Sequence, residues 1–171
     1  ESGQGNLLEF ALEAARAHGE RQYTERTLAL LGLNHAHHGQ FAESLAFYDE
    51  LLDFARAGES RQAQLWARGG SAQVWTRMGR ASDAVREIER MLPLFGEAVT
   101  DQSDAFMIAT LAPACREAGE LELARDIHAR SLKSMRAGRA PGCQVAWGYA
   151  ATCELALRLL RESDDTERRA R

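Results

Sequence analysis

The run His35-Ala36-His37-His38 is the strongest candidate for chemistry in this sequence. On a helix, His35 and His38 are three residues apart and share one face, within reach of a common metal ion. No acidic or cysteine ligand stands nearby in the repeat described below, however, and His35 takes a position used for packing. Histidines near the C-terminus of a helix also gain from its dipole. The pattern therefore favours packing and capping over metal binding.

No other group of residues has the spacing of a catalytic or phosphate-binding motif. His128 falls at a bulky packing position, and nothing in the sequence pairs Cys115 with a histidine that could act as its base. The pair Gly69-Gly70 lies within a predicted helix and lacks the lysine of a phosphate-binding loop. We therefore expect a chain that is not an enzyme and that holds neither a cofactor nor a metal.

The composition predicts an all-α protein. Apolar residues make up 45 % and charged residues 27 % of the 171 residues, as in ordinary soluble domains, and only three residues are proline. No stretch alternates apolar and polar residues with period 2. The net charge is −4, and acidic and basic residues alternate along the chain, so we expect no nucleic-acid partner.

The location of the protein is predicted from its apolar runs and cysteines. No apolar run approaches the length that crosses a bilayer, so we expect no membrane partner. The three cysteines are an odd number without CxxC spacing, which indicates reduced thiols and a cytoplasmic protein. The first residue, Glu1, is not a methionine, and we expect the chain to be a piece of something longer. The excess of arginine over lysine indicates a bacterial source.

A repeat of 40 residues organises the chain. Three turn glycines, Gly39, Gly79 and Gly119, are 40 residues apart each time, and each ends one amphipathic segment and precedes another. Around them, small residues and one bulky residue recur in fixed positions: Gly32, Ala72 and Ala112; Ser44, Ala84 and Ala124; Tyr48, Ile88 and His128. Small residues let the helices of a hairpin approach closely, and stacking buries the stripes that one hairpin leaves open. We therefore expect these residues to pack the repeat.

The register predicts about eight helices in a single domain over residues 1–171. We expect helices at 5–18, 20–38, 41–57, 61–78, 81–97, 103–118, 120–137 and 142–161. The domain then consists of a half-repeat 1–19, repeats at about 20–59, 60–99 and 100–139, and a half-repeat 140–171.

Local signals refine these boundaries. Gly58 follows the third helix as C-terminal punctuation, and Ser60 is a predicted N-cap of the fourth. Pro93 and Pro113 lie inside the fifth and sixth helices, where they predict kinks or early ends. The pair Gly69-Gly70 costs the fourth helix about 1 kcal/mol per glycine relative to alanine.

These residues resemble the tetratricopeptide repeat (TPR) family. The first repeat supplies Leu31-Gly32, Gly39, Phe41 and Tyr48, although His35 replaces the usual aromatic and Ser44 the usual alanine. The second supplies Trp75, Gly79 and Ala84, and the third Leu111, Gly119 and Ala124, with Cys115 in the aromatic position. The resemblance implies a right-handed α-solenoid of antiparallel helix pairs, here with longer helices because the period exceeds the usual 34. HEAT and armadillo repeats are the rival fold.

A second resemblance concerns the C-terminal part of the chain. The stretch from Pro141-Gly142 through Gly148-Tyr149-Ala150 to Glu154-Leu155-Ala156-Leu157 is similar to C-terminal TPR regions of large bacterial multidomain ATPase and nucleotide cyclase-type regulators. This resemblance implies that any enzymatic or DNA-binding module lies outside the chain.

The concave face of a solenoid, lined by first helices, is its natural binding surface. Eight residues there are candidates for partner binding: Arg26, His37, Trp66, Gln73, Arg77, Phe106, Arg116 and Tyr149. Arginine beside aromatics is typical of interface hot spots, while packing of Trp66 and Phe106 against neighbouring helices is the alternative. TPR domains that clamp a C-terminal carboxylate use Lys and Asn on this face, and residues such as Ala29 and Leu33 stand there instead.

The sequence thus predicts a non-catalytic scaffold that binds a protein or peptide within a bacterial signalling or regulatory protein. Two alternatives stay open. One is a regulatory domain that senses a small ligand or short peptide, and the other is self-association through the terminal half-repeats. The identity of the partner does not follow from the residues.

Overall fold

Every element in the described part of the chain is helical. The computed structural model describes residues 3–95 and 111–137, and in the last helix residues 150, 153–154, 156–158 and 160–161. The helices are α1 (Gly3–Ala17), α2 (Arg21–His37), α3 (Phe41–Ala57), α4 (Arg61–Arg77), α5 (Ala81–Met91), α6 (111–117), α7 (Leu121–Ala137) and α8 (within 150–161). No strand occurs among these residues, and the all-α prediction is confirmed. None of the helices described is both long and apolar enough to cross a membrane.

One turn geometry joins these helices, and it recurs every 20 residues. The left-handed residues are Gly19, Gly39, Glu59, Gly79 and Gly119, with φ between 55° and 83°. In each turn the following residue donates its N–H to a carbonyl five residues earlier, as Gln40 does to His35 at 2.9 Å. This is the hydrogen bond of a Schellman C-cap. The sequence analysis found a 40-residue period, whereas the backbone repeats at half that length.

Two predictions about the end of α3 are wrong. Gly58 has a φ of −114°, so it is not the left-handed residue; that conformation falls to Glu59 at φ 55°. Ser60 stands at the N-cap position of α4, but its hydroxyl makes no capping bond and instead donates to Oε2 of Glu25 at 2.9 Å. A buried carboxylate from α2 therefore takes the hydroxyl that a local capping rule assigned to the backbone.

Pro93 ends its helix early, as its position in the sequence predicts. The α-helix expected over 81–97 stops at Met91 and tightens into a 3₁₀ turn at Leu92–Leu94. Proline lacks an N–H and its ring clashes with the carbonyl four residues earlier, so the ladder cannot continue through it. Pro113 lies within the described part of α6, and the residues before 111 lie outside the described chain.

The chain divides into two compact units, Glu1–Leu94 and Phe95–Arg171. In the first unit, consecutive helices pack in pairs from α1 to α5, and α2 also contacts α4 directly. Arg16 of α1 bonds Glu50 of α3, and Asp49 of α3 lies close enough to Glu87 of α5 for their charges to interact. The unit therefore has two layers. The first-helix layer consists of α2 and α4, and the second-helix layer consists of α1, α3 and α5.

Tyr48 of α3 occupies the middle of the first unit. It is 4 % exposed, and its ring lies against the backbone of Gly32 in α2 and Gly70 in α4. A Cβ atom at Gly32 would come within 2.7 Å of the Tyr48 ring. Ser44, one turn earlier in α3, donates its hydroxyl to the Gly32 carbonyl at 2.6 Å. One glycine from each first helix thus makes the space that a single aromatic ring fills.

The second unit repeats the same local pattern in α6 and α7. Leu111, Ala112 and Cys115 of α6 are buried, as are Ala124 and Ile127 of α7. His128 is half-buried, and burial lowers the pKa of its imidazole. These packing residues therefore have the same local environments as their counterparts in α4 and α5.

Candidate partner-binding surface

Three pairs of equivalent residues form the outward stripe of the first-helix layer. Arg26, Leu33 and His37 stand on α2 at spacings of seven and four, which keeps them on one face. The residues 40 positions later on α4 are Trp66, Gln73 and Arg77. The cationic or ionisable members Arg26, His37 and Arg77 are exposed, and the other three are half-buried. The stripe consists of polar groups around a partly covered apolar strip.

Arg77 connects the ends of the two first helices. Its Nη1 donates to the carbonyl of Ala36 in the last turn of α2 at 3.1 Å. The bond places Arg77 beside His37, the next residue along α2. Arg77 is also near the Tyr48 hydroxyl: burial raises the pKa of Tyr48, and the charge of Arg77 opposes that rise. A guanidinium group is therefore fixed at one end of the stripe, at the negative end of the α2 dipole.

Trp66 belongs partly to the core. Its ring packs against the cluster of buried residues in the first unit, yet the side chain stays half-buried rather than enclosed. Both interpretations of this residue therefore describe part of it: one portion of the indole packs between helices, and the remainder faces outward beside the position of Arg26.

The histidine run is engaged by protein groups. His35 stacks on Phe47 with ring centroids 5.2 Å apart, and its Nδ1 lies 2.8 Å from Oε1 of Gln40. His38 places its Nδ1 2.8 Å from the carbonyl of Asn34. In the part of the chain that the structure describes, no three His, Cys, Asp or Glu side chains are grouped to hold a metal. The rings have the packing and capping environments expected from the sequence.

The contact between His35 and Gln40 has an equivalent one repeat later. There Trp75 replaces His35 and Arg80 replaces Gln40, and the guanidinium of Arg80 lies over the Trp75 ring at 4.2 Å. In both repeats the residue after the left-handed glycine folds back over a ring in the last turn of the first helix. The degenerate aromatic position of the motif therefore keeps its environment while its chemistry changes.

The remaining candidate residues do not join this stripe in the described structure. Arg116 lies in the second unit, half-buried, with Nη2 3.9 Å from Oε1 of Glu117. Phe106 and Tyr149 lie outside the described residues. The candidate surface of the first unit is therefore defined by Arg26, His37, Trp66, Gln73 and Arg77.

The two layers of the first unit carry opposite charge. Helices α2 and α4 contain five arginines and one glutamate, a net charge of +4, whereas α1, α3 and α5 contain nine carboxylates and four arginines, a net charge of −5. The sequence analysis weighed charge along the chain, where the signs alternate. Because helices alternate between layers with the same rhythm, alternation along the chain becomes separation in space. A charge count for each predicted helix would have found it.

Two polar networks hold the layers together and are not part of the stripe. Glu25, with its side chain 9 % exposed, accepts from Nε of Arg21 at 3.1 Å and from Ser60. Arg21 also donates Nη2 to the Phe54 carbonyl at 2.7 Å. Between α4 and α5, Arg68 pairs with Glu87 at 2.7 Å. Both arginines are turned toward the second helices, so neither is a candidate for contacting a partner.

The chain was compared with known proteins. No known family model matches it, and no curated protein is significantly similar to it.

Proposed function

We propose that the chain is a non-catalytic binding module that holds a protein or peptide on the outward stripe of α2 and α4. The observation that carries this proposal is the stripe itself: exposed Arg26, His37 and Arg77 around the half-buried Trp66. Arginine and tryptophan anchors in a partly desolvated setting supply most of the energy in protein interfaces. A stacked pair of first helices also offers a continuous surface longer than a peptide of several residues.

The finer description of the module belongs to the same proposal. Recurrent Schellman turns, small residues at helix contacts and the residues of the TPR motif support a right-handed, TPR-like solenoid. We further propose that it works in the cytoplasm as part of a bacterial regulatory protein. The sequence resemblance to TPR regions of multidomain regulators supports that setting.

A peptide-display selection tests the proposal. A random peptide library is selected on the immobilised chain, and the affinity of enriched peptides is measured by fluorescence anisotropy. Arg26→Glu is expected to weaken binding by about tenfold or more, as for a residue at the centre of an interface. Arg56→Glu in the second-helix layer is the matched control, because Arg56 pairs only loosely with Asp53 at 3.5 Å. Circular dichroism verifies that both variants are folded.

The outcome that contradicts the proposal is clear. If selected peptides bind Arg26→Glu and the unaltered chain equally, or if none binds, the stripe of α2 and α4 is not a recognition surface. Stabilisation by a small ligand in a thermal-shift screen, with no effect of peptides, would favour the ligand-sensing alternative instead.

Self-association is a second candidate, favoured by exposed apolar side chains. Leu7 and Phe10 of α1 are each 68 % exposed, and Leu157 and Leu160 of α8 are 60 % and 63 % exposed. Large apolar side chains exposed together are typical of interaction sites. Light scattering at high protein concentration tests this candidate, and a strictly monomeric protein would remove it.

A further inference from the structure

We propose that the partner of the first-helix layer is an acidic peptide segment, with two carboxylates about five residues apart and an apolar residue between them. This inference rests on the proposed function and specifies the chemistry of the partner. It is derived from the charge of the layer and from the positions of three side chains on it.

The charge of the layer determines the sign of the partner. The net charge of +4 on α2 and α4 faces away from the net −5 of α1, α3 and α5. A segment that lies on α2 and α4 therefore meets an excess of guanidinium groups, and its own carboxylates are attracted while cationic segments are repelled. The acidic second-helix layer gives the opposite preference, so the two sides of the unit do not compete for one partner.

The positions of the arginines determine the spacing of the carboxylates. Arg26 and His37 are eleven residues apart on α2, which is about 16 Å along the helix axis. The Nη1 of Arg77 is bonded to Ala36, so this guanidinium stands at the His37 end of the stripe. An extended peptide rises about 3.3 Å per residue, so about five residues separate the groups that reach Arg26 and Arg77.

The apolar residue of the segment follows from what lies between the two arginines. Leu33 on α2 is half-buried midway along the stripe, and Trp66 on α4 stands level with Arg26. A Leu or Phe side chain placed over them would cover apolar surface that the fold leaves partly open. The stripe contains no paired Lys and Asn, so an internal segment is expected to bind without a free C-terminal carboxylate.

The same selected peptides test this inference. Among peptides whose affinity falls in Arg26→Glu, we expect enrichment of Asp or Glu at two positions about five residues apart. A synthetic copy with an acetylated N-terminus and an amidated C-terminus should bind as well as the free-ended peptide. Its affinity should fall more than about tenfold when both carboxylates become amides, and should fall with added salt. The Arg56→Glu control should leave all these values unchanged.

A charge exchange makes the assignment specific. Replacing the first carboxylate of the peptide by lysine should weaken binding to the unaltered chain and restore part of the binding to Arg26→Glu. A fold defect in the variant could not produce that rescue. A single-stranded oligonucleotide serves as the competing anion and is expected to bind more weakly than the peptide.

Each failure points to a different conclusion. Peptides that depend on Arg26 but show no acidic enrichment would overturn the inference and leave the proposed function standing. Absence of any peptide that depends on the stripe would overturn both. Tighter binding of the oligonucleotide than of the peptide at the same ionic strength would overturn the peptide assignment in favour of nucleic acid.

Discussion

The phenol ring of Tyr48 in α3 fills the space that a Cβ atom on Gly70 in α4 would occupy. From the sequence, Gly70 is only a cost to α4, because glycine is about 1 kcal/mol less favourable than alanine inside a helix. In the structure it is the reason that α3 and α4 can approach with an aromatic ring between them. The local rule and the tertiary contact therefore predict opposite effects of the same substitution.

We predict that Gly70→Ala destabilises the protein by about 1–3 kcal/mol, since overpacking against Tyr48 exceeds the gain in helix propensity. Urea unfolding measures the change as a lower midpoint with an unchanged slope. Tyr48→Leu shortens the ring and is the partner in a double-mutant cycle. The two changes together should cost less than their sum. A Gly70→Ala variant that is more stable than the parent would show that the ring does not determine this approach.

The turn at Glu59 yields a prediction of opposite sign to its neighbours. Glu59 has a φ of 55° in a turn where the equivalent positions carry glycine. A non-glycine residue in this conformation costs about 1–2 kcal/mol, partly offset by the entropy that glycine adds to the unfolded chain. Glu59→Gly should therefore stabilise the protein by about 0.5–1 kcal/mol.

Gly79→Ala is the matched reversal of that change. A Cβ at Gly79 meets no atom within 4 Å, so only the backbone conformation at φ 72° opposes it. We expect a loss of about 1 kcal/mol. Both values come from thermal or urea unfolding, and equal effects of the two substitutions would contradict the assignment of a common turn.

The bond from Ser60 to Glu25 predicts a cost where the capping rule predicts a different one. Ser60→Ala removes one of the two side-chain bonds to a carboxylate that is 9 % exposed, and should destabilise the protein by about 1.5–3 kcal/mol. If the hydroxyl acts through Glu25, the same change in a Glu25→Gln background should cost distinctly less. Equal costs in both backgrounds, measured by urea unfolding, would mean that Ser60 acts only on the backbone. Ser82→Ala, at an exposed position in α5, is the control.

Asp49 gives the protein a pH dependence on the acid side. Burial raises the pKa of Asp49, and the carboxylates of Asp53 and Glu87 add to the rise. Below its ordinary pKa near 3.8 the group is protonated in both the folded and the unfolded state, and it costs nothing. As the pH rises, the unfolded chain releases the proton first, so ionised Asp49 lowers stability through and above that range.

Asp49→Asn should therefore raise the melting temperature at neutral pH by about 1–2 °C, a typical size for a surface substitution in a chain of this length. The gain should vanish near pH 3. Melting curves across pH measure both, with Glu13→Gln on α1 as an exposed control. A gain that is the same at pH 3 and pH 7 would show that charge is not its cause.

The helices were predictable because they depend on local sequence. Gly39 and Gly79 mark turns directly, and Pro93 ends α5 within the expected segment. The 20-residue rhythm escaped notice because Glu59 occupies one of the left-handed positions, so a search for glycine finds the turns that follow first helices more easily than those between hairpins.

The side-chain networks were not predictable in the same way. Arg21, Glu25 and Ser60 come from two helices of different repeats, and no local pattern announces that a carboxylate will lie within 2.9 Å of a predicted cap. The outward positions of Arg26 and Arg77 follow from register alone. The bond from Arg77 to Ala36 depends on how closely α2 and α4 approach, which Tyr48 and its two glycines determine.

The common turn has a consequence for how such a chain can lengthen or shorten. Since each turn is the same, nothing in the backbone distinguishes an arginine-rich helix from a carboxylate-rich one, and only the side chains assign a helix to its side. Deleting one helix with its turn, residues 40–59, would preserve every junction yet exchange the sides of all later helices. Deleting two, residues 40–79, would keep each helix on its own side. Circular dichroism melts of the two deletions should therefore show cooperative unfolding only for the longer one, an advantage of the even number over the smaller change.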